Sequence, residues 1–450
     1  MRSTDITIRD CSFVYEDFQY RTPIKFGGVA LDKATVLNVD LVVETRDGKV
    51  AKGHGSMPLS NVWAFPSRTL EYSATLGAMK ELASRFHAIS ASAKESGHAV
   101  DLGHALESRY LACLAPAASH LKLAEPIPTL AALVVASAFD AAIHDAYGKA
   151  QGLNVYKCYG PDFLEHDLGH YLGQEFAGDR LDRYLATEPK PRMPLYHLVG
   201  ALDPLTAADV AKPVGDGLPE TLAEWIVADG LTHMKIKLNG DDLEWDVNRV
   251  LGVDAVAVEM QAKRGVTSWW YSTDFNEKCQ NVDYLLEFLR RVKAAIPAGF
   301  DRIQYIEQPT SRNMKANPTN VMHEAAKLRP VVLDEGLVDL ESLQMARSMG
   351  YTGIAFKACK GQTQTVLLAA AAQKYSMFRC VQDLTCPGAS LIHSAGIAAH
   401  VPGVAAIEAN SRQYCPIANA GWTDRFPGVF SVRDGQMNTS LLTGPGLGAI

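Results

Sequence analysis

Lys235 and Lys237 stand two residues apart, so they share one face of an extended strand. Further along, Asp274-Phe-Asn276, Glu307-Gln-Pro309, Asp334-Glu335 and Lys357-Ala-Cys-Lys360 each close a short apolar run, delivering Lys, Asp, Glu, Asp and Lys in order. Three carboxylates facing one point repel severely unless a hard divalent cation lies between them. Magnesium, with manganese as the alternative, accepts such oxygen ligands and keeps positions for substrate and water. Asp274, Glu307 and Asp334 are therefore the candidate metal ligands. A cation there would stabilise the charge that develops when the α-proton of a carboxylate leaves and an enediolate forms. Lys237 and Lys357 flank the carboxylates and would meet a bound carbon from opposite faces, one taking a proton while the other returns one. A lysine is a base only when neutral, and a neighbouring cation favours that form. Lys235 is the candidate for tuning Lys237 and for contacting the substrate carboxylate, with Lys360 doing likewise opposite. Glu335 points away from the side of its strand that Asp334 occupies, which makes Asp334 the ligand and Glu335 its support. Asn276, Asp383, Glu408 and Asn410 complete the candidates for substrate contact or support.

Such residues converge only if the strands that carry them end at one mouth. Short apolar runs at 195–199, 233–237, 268–274, 302–307, 331–334, 353–357, 378–382 and 405–408 alternate with helical stretches. Eight strand–helix units in about 250 residues predict a (β/α)8 barrel, an α/β fold with its chemistry at the C-terminal strand ends. No GxGxxG follows the first of these runs, which argues against a dinucleotide fold. Ahead of the barrel, partial alternation in 34–44 before the turn signal Arg46-Asp-Gly48 predicts an antiparallel sheet, and 70–148 reads as helical. The first 160 residues are thus an α+β unit. Residues 161–192, rich in His, Asp, Gly and Pro, read as a connector or insertion.

A chain of 450 residues with 47% hydrophobic and 21% charged residues affords a packed core in two domains. Its formal charge of −7 gives no attraction to nucleic acid or to an anionic membrane, so a small-molecule partner is expected, in a homo-oligomer. The eight cysteines lack metal or disulfide spacing and read as reduced thiols. With no apolar leader, and with the apolar stretch 130–142 interrupted by Asp140, the cytoplasm is the expected compartment. His54, His120, His144, His393 and His400 have no metal spacing and are expected to be structural. Trp269 and Trp270 are expected to pack between barrel and helices. No histidine follows Asp383 closely enough to make a base pair with it.

In these motifs the chain resembles the enolase superfamily. Within it, the likeness is to the muconate lactonizing enzyme-like group of the mandelate racemase/muconate lactonizing enzyme family, marked by Lys-x-Lys on the second strand and a lysine on the sixth. Arg21-Thr-Pro-Ile-Lys-Phe-Gly-Gly28, Val42-Val-Glu-Thr-Arg-Asp-Gly48 and Ala136-Ser-Ala-Phe-Asp-Ala-Ala-Ile-His-Asp145, followed by Asn154-Val-Tyr156, are similar to that family's capping domain. The resemblance implies magnesium on Asp274, Glu307 and Asp334, and Lys237 with Lys357 as the acid/base pair. It also implies a cap of residues 1–160 that residues 416–450 rejoin after a barrel at 193–415. Loops at 21–26 and 53–65 would face the mouth and select the substrate. Glu408-Ala-Asn410 stands where dipeptide epimerases of the group carry Asp-x-Asp, which argues against a dipeptide. Lys357 stands where dehydratases and mandelate racemase-like members use a His-Asp dyad. Two lysines therefore favour a racemase or epimerase, an isomerase acting on a carboxylate. A cycloisomerase or dehydratase, a lyase outcome, is the alternative through the same intermediate, and a non-catalytic barrel used for binding is a more distant one.

Overall fold

A computed structural model describes residues 2–26 and 29–448; of the family-like N-terminal stretch, Gly27 and Gly28 lie outside the described residues. Strands β1 (Ile6–Phe26), β2 (Val29–Thr45) and β3 (Val50–Pro58) form an antiparallel sheet in that order. The alternation read in the sequence sets its inner face: Val39, Leu41 and Val43 are buried while Asp40 is exposed.

That face packs on helix Thr129–Gln151, which follows Pro128 and ends at Gly152 in the left-handed conformation (φ 68°). Alanines along the helix let the sheet come very close. A Cβ on Gly53 would lie 2.1 Å from the carbonyl oxygen of Ala142, and one on Gly55 1.9 Å from that of Ala138. Backbone is met in both cases, so Gly55→Ala is expected to destabilise the chain by roughly 1–3 kcal/mol, read as a lowered urea midpoint. The same helix is the only one among the described residues long and apolar enough to cross a membrane, yet 94% of its apolar window is buried inside the protein. It is a core helix.

Strands β4 (Arg192–Val199), β5 (His233–Lys237), β6 (Trp270–Asp274), β7 (Ile303–Glu307), β8 (Val331–Leu333), β9 (Gly353–Phe356), β10 (Phe378–Val381) and β11 (Val404–Glu408) run parallel in chain order. β11 closes on β4 through Ile407 opposite Leu195 and Glu408 opposite Tyr196. The result is an eight-stranded parallel barrel wrapped by helices, as the sequence predicts. Trp269 packs as expected, under the Arg302 guanidinium at 3.9 Å, but Trp270 is exposed because it opens β6 on the opposite face. After the barrel, β12 (Gln436–Asn438) pairs antiparallel with the start of β4. Leu447 N–H then donates to Asp145 Oδ1 of the cap helix at 2.9 Å.

Cap and barrel meet through buried polar contacts. Thr363, in the helix Gln362–Lys374 that follows β9, donates to Asp140 from its amide and its hydroxyl, both at 2.7 Å. Because that hydroxyl proton is committed, His144 Nε2 must donate to Thr363 Oγ1 (2.8 Å), which leaves Nδ1 to accept from Tyr159 (3.0 Å). Burial lowers the His144 pKa to about 3, in keeping with this neutral tautomer.

Glu107, on helix Ala99–Leu111, has its carboxyl pushed up to about 7 by burial, reinforced by Asp140 and Asp339. Its raised value in the fold means that its contribution to stability is full below the ordinary 4.5 and is lost as pH rises through about 7. Glu107→Gln is therefore expected to stabilise the protein by roughly 1–2 kcal/mol at pH 8 and to change little at pH 4.5, as urea titrations at the two pH values will read.

Candidate active site

Period-2 geometry turns Lys235 and Lys237 of β5 to the barrel interior, with Lys235 one layer deeper. Asp274 closes β6 and Glu307 closes β7, while Asp334, Lys357 and Gln382 stand one residue beyond β8, β9 and β10. All six strand ends reach one buried cluster. Lys237 Nζ donates to Asp274 Oδ2, and to Asn276 Oδ1 at 3.0 Å. Lys357 Nζ lies 2.8 Å from Asp334 Oδ2, and Lys360 Nζ reaches the carbonyl oxygen (2.6 Å) and Oδ1 (3.2 Å) of the same aspartate. Between them, Lys235 Nζ is held by Gln382 Oε1 (2.6 Å), Glu307 Oε1 (2.8 Å), Glu408 Oε2 (3.0 Å) and Asp274 Oδ2 (3.1 Å).

Lys235, the candidate for tuning Lys237 and contacting the substrate carboxylate, is thus held by four oxygen partners. Burial works against its charge, yet Glu307, Glu408 and Asp274 hold it well above the usual lysine range. Lys357 behaves alike: burial opposes its charge, and Asp334 overcomes this and raises it. Burial also works against the Asp334 carboxylate, but Lys357 and Lys360 bring its pKa down to about 2. Glu307 is pushed up by burial and by Asp274. At Lys357 the pull of Asp334 and Glu307 outweighs both burial and the Lys235 ammonium.

The remaining candidates support this cluster. Glu335 Oε1 accepts from Trp63 Nε1 and Asn276 Nδ2, each at 3.1 Å, and burial with Asp334 beside it raises its carboxyl to about 7. Asn410 Nδ2 donates to Glu408 Oε1 at 2.7 Å. Asp383 accepts from the backbone amides of Asn410 (2.6 Å) and Cys386 (3.0 Å), which ties β10 to β11. Asn276 and Gln308, at φ 44° and 30°, hold left-handed backbone just past β6 and β7, a strain that clusters at functional mouths.

Two residues not singled out by sequence complete the mouth. Gln382 positions Lys235; its position at the end of an apolar run was the available signal. Arg312 pairs with Glu277 and donates from Nη2 to the carbonyl of Trp63 at 3.1 Å, holding the 59–72 loop of the cap over the strand ends. The Trp63 ring covers the Lys357 ammonium at 4.1 Å. Beside it opens a cavity of about 440 Å³, bordered by Phe65, Arg68, Leu70, Tyr72, Asn276 and Glu335.

The donor set of Asp274, Glu307 and Asp334 fits a hard cation in being all oxygen and fully buried, and Glu307 Oε2 has no hydrogen-bond partner. Asp274 and Glu307 share the Lys235 ammonium, while Asp334 pairs with Lys357 and Lys360. Among the described residues, the one group of potential ligands lying wholly within 4.8 Å is Asp101, His166 and His170, which could chelate a divalent metal and lies outside the mouth.

A closed parallel barrel with a cap across its C-terminal mouth, carrying acids and lysines on successive strands, defines the class of the protein. Residues 218–449 match the family described as enolase C-terminal domain-like. The chain belongs to the enolase superfamily, in its mandelate racemase/muconate-lactonizing enzyme-like group. No curated protein matches it significantly. Similar crystal structures include a mandelate racemase/muconate lactonizing protein from Herpetosiphon aurantiacus, at 18% identity over 92% of this chain and 91% of that one, with a TM-score of 0.61. An enolase from Bradyrhizobium complexed with magnesium and mandelic acid is 16% identical, with 100% and 97% covered and a TM-score of 0.63. A dipeptide epimerase from Enterococcus faecalis V583, complexed with Mg and the dipeptide L-Leu-L-Tyr, is 14% identical, with 98% and 99% covered and a TM-score of 0.62. At these identities the likeness is one of fold.

Proposed function

We propose that the protein is a magnesium-dependent enzyme that removes the α-proton of a small carboxylate by way of an enediolate and returns a proton to the opposite face, a racemase or epimerase. The observation that carries this reading is the disposition of Lys237 on Asp274 and Lys357 on Asp334, with Glu307 on the strand between. Magnesium, or manganese, held by Asp274, Glu307 and Asp334 would supply electrostatic stabilisation of the charge that develops on the substrate carboxylate. Lys237 and Lys357 would stand on opposite faces of the substrate's α-carbon, one taking its proton while the other returns one. Trp63 excludes water from the Lys357 side. The cavity bordered by Phe65, Leu70 and Tyr72 offers the substrate's distal part an apolar wall, and Arg68 a positive rim.

Single enantiomers of α-substituted carboxylates, incubated with protein and magnesium in deuterated water, test this. Racemisation puts deuterium into recovered substrate. A β-elimination or cycloisomerised product instead would make the enzyme a lyase or cycloisomerase through the same intermediate. No exchange, together with no magnesium binding by calorimetry, would return the barrel to a binding role.

A further inference from the structure

We propose that Asp101, His166 and His170 form a structural site for a borderline transition-metal ion, of which Zn²⁺ is the best fit, that pins the 161–192 insertion to the cap. The site is separate from the carboxylate cluster and independent of the proposed reaction.

Asp101 sits in the first turn of helix Ala99–Leu111, whereas His166 and His170 belong to the insertion, His166 just before its short helix Leu168–Leu172 and His170 within it. One potential ligand atom from each lies within 4.8 Å of the others. Two imidazoles and a carboxylate suit zinc, which takes three protein ligands and a water in tetrahedral array; they do not suit magnesium, which prefers oxygen throughout. Tetrahedral zinc needs ligand atoms about 3.3 Å apart, so the three side chains, of which His170 is exposed, would close by at most roughly 1.5 Å.

The surroundings are prepared for it. The Asp101 carboxylate accepts from Tyr171 Oη and from the His98 amide (3.2 Å), hydrogen bonds that fix a metal-ligating carboxylate while leaving lone pairs free. The rings of His166 and His170 stack face to face at 3.9 Å with 12° between planes. Among the described residues, no hydrogen bond reaches their ring nitrogens. A third imidazole, His104, has its centre 6.3 Å from that of His170. The other edge of the insertion is already fastened to the barrel: Lys374 Nζ donates to Asp179 Oδ2 at 2.8 Å and Tyr375 Oη to Glu175 Oε2 at 2.9 Å. An ion on Asp101, His166 and His170 would fasten the edge that faces the cap.

The test uses the full chain, stripped with a chelator and then equilibrated with Zn²⁺ under excess Mg²⁺. The wild-type protein is expected to retain one more equivalent of zinc than the His166→Ala/His170→Ala double variant, and zinc is expected to slow amide exchange across 161–192 in the wild type alone. Tyr171→Phe should bind zinc roughly 10- to 100-fold more weakly while keeping the same stoichiometry at saturation. Co²⁺ in the wild-type protein should give the visible absorption of a tetrahedral ion. Equal zinc content in wild type and double variant, unchanged exchange across 161–192, or absence of the cobalt band would each overturn the assignment.

Discussion

Lys357→Ala is expected to lose α-proton exchange from at least one enantiomer, with a fall of about 10³-fold, since a positioned acid or base contributes about 10²–10⁴. The ammonium it deletes lies between Asp334 and the Trp63 ring, and Lys360 remains as a counter-ion to Asp334, so the fold should survive. The measurement is deuterium incorporation into each enantiomer separately. Exchange lost from one and retained from the other assigns Lys357 to one face. Unimpaired exchange from both would remove it from the mechanism.

Asp334→Asn should have the larger effect on the molecule as a whole. It leaves Lys357 and Lys360 buried without their shared carboxylate, and breaking one side of a buried ion pair costs about 3–5 kcal/mol. It also removes one of the three oxygen donors proposed for magnesium, so the rise in melting temperature with added magnesium expected of the wild type should be lost. The pH dependence has a definite sign. With its pKa lowered from 3.8 to about 2 by Lys357 and Lys360 against the effect of burial, Asp334 contributes stability that is present above 3.8 and disappears as pH falls toward 2. Melting curves from pH 2 to 6, with and without magnesium, should show the variant less acid-sensitive in that window and unresponsive to the ion.

The barrel was legible because its strands are short, apolar and regularly spaced, and because a strand's two-residue period fixes which side chains reach the interior. That period is why Lys235 and Lys237 could be put on one face and Glu335 opposite Asp334. What it could not reveal is the depth at which a side chain stops. The Lys235 ammonium meets Glu307, Glu408, Gln382 and Asp274, three of which come from strands distant in sequence. The state of Lys357 was hidden for a similar reason, since the balance of burial and neighbouring charge is decided in three dimensions. Trp270 turned outward although its neighbour did not, a one-residue matter of where β6 begins. The grip of Arg312 on the Trp63 loop joins residues 249 positions apart and leaves no local pattern. The pair His166 and His170, four apart, was visible in the sequence, but only the fold brings Asp101 beside it.

The buried contacts between Asp140, His144 and Thr363 constrain how anything enters or leaves the mouth. Swinging the cap away as a rigid body would strip a carboxylate and an imidazole of their partners in a dry interface, a cost of several kcal/mol on every opening. The 59–72 loop is held separately, by Arg312 Nη2 on the Trp63 carbonyl and by Trp63 Nε1 on Glu335. Because that interface is expected to stay closed, a covalent link between helices Thr129–Gln151 and Gln362–Lys374 is expected to leave any turnover unchanged.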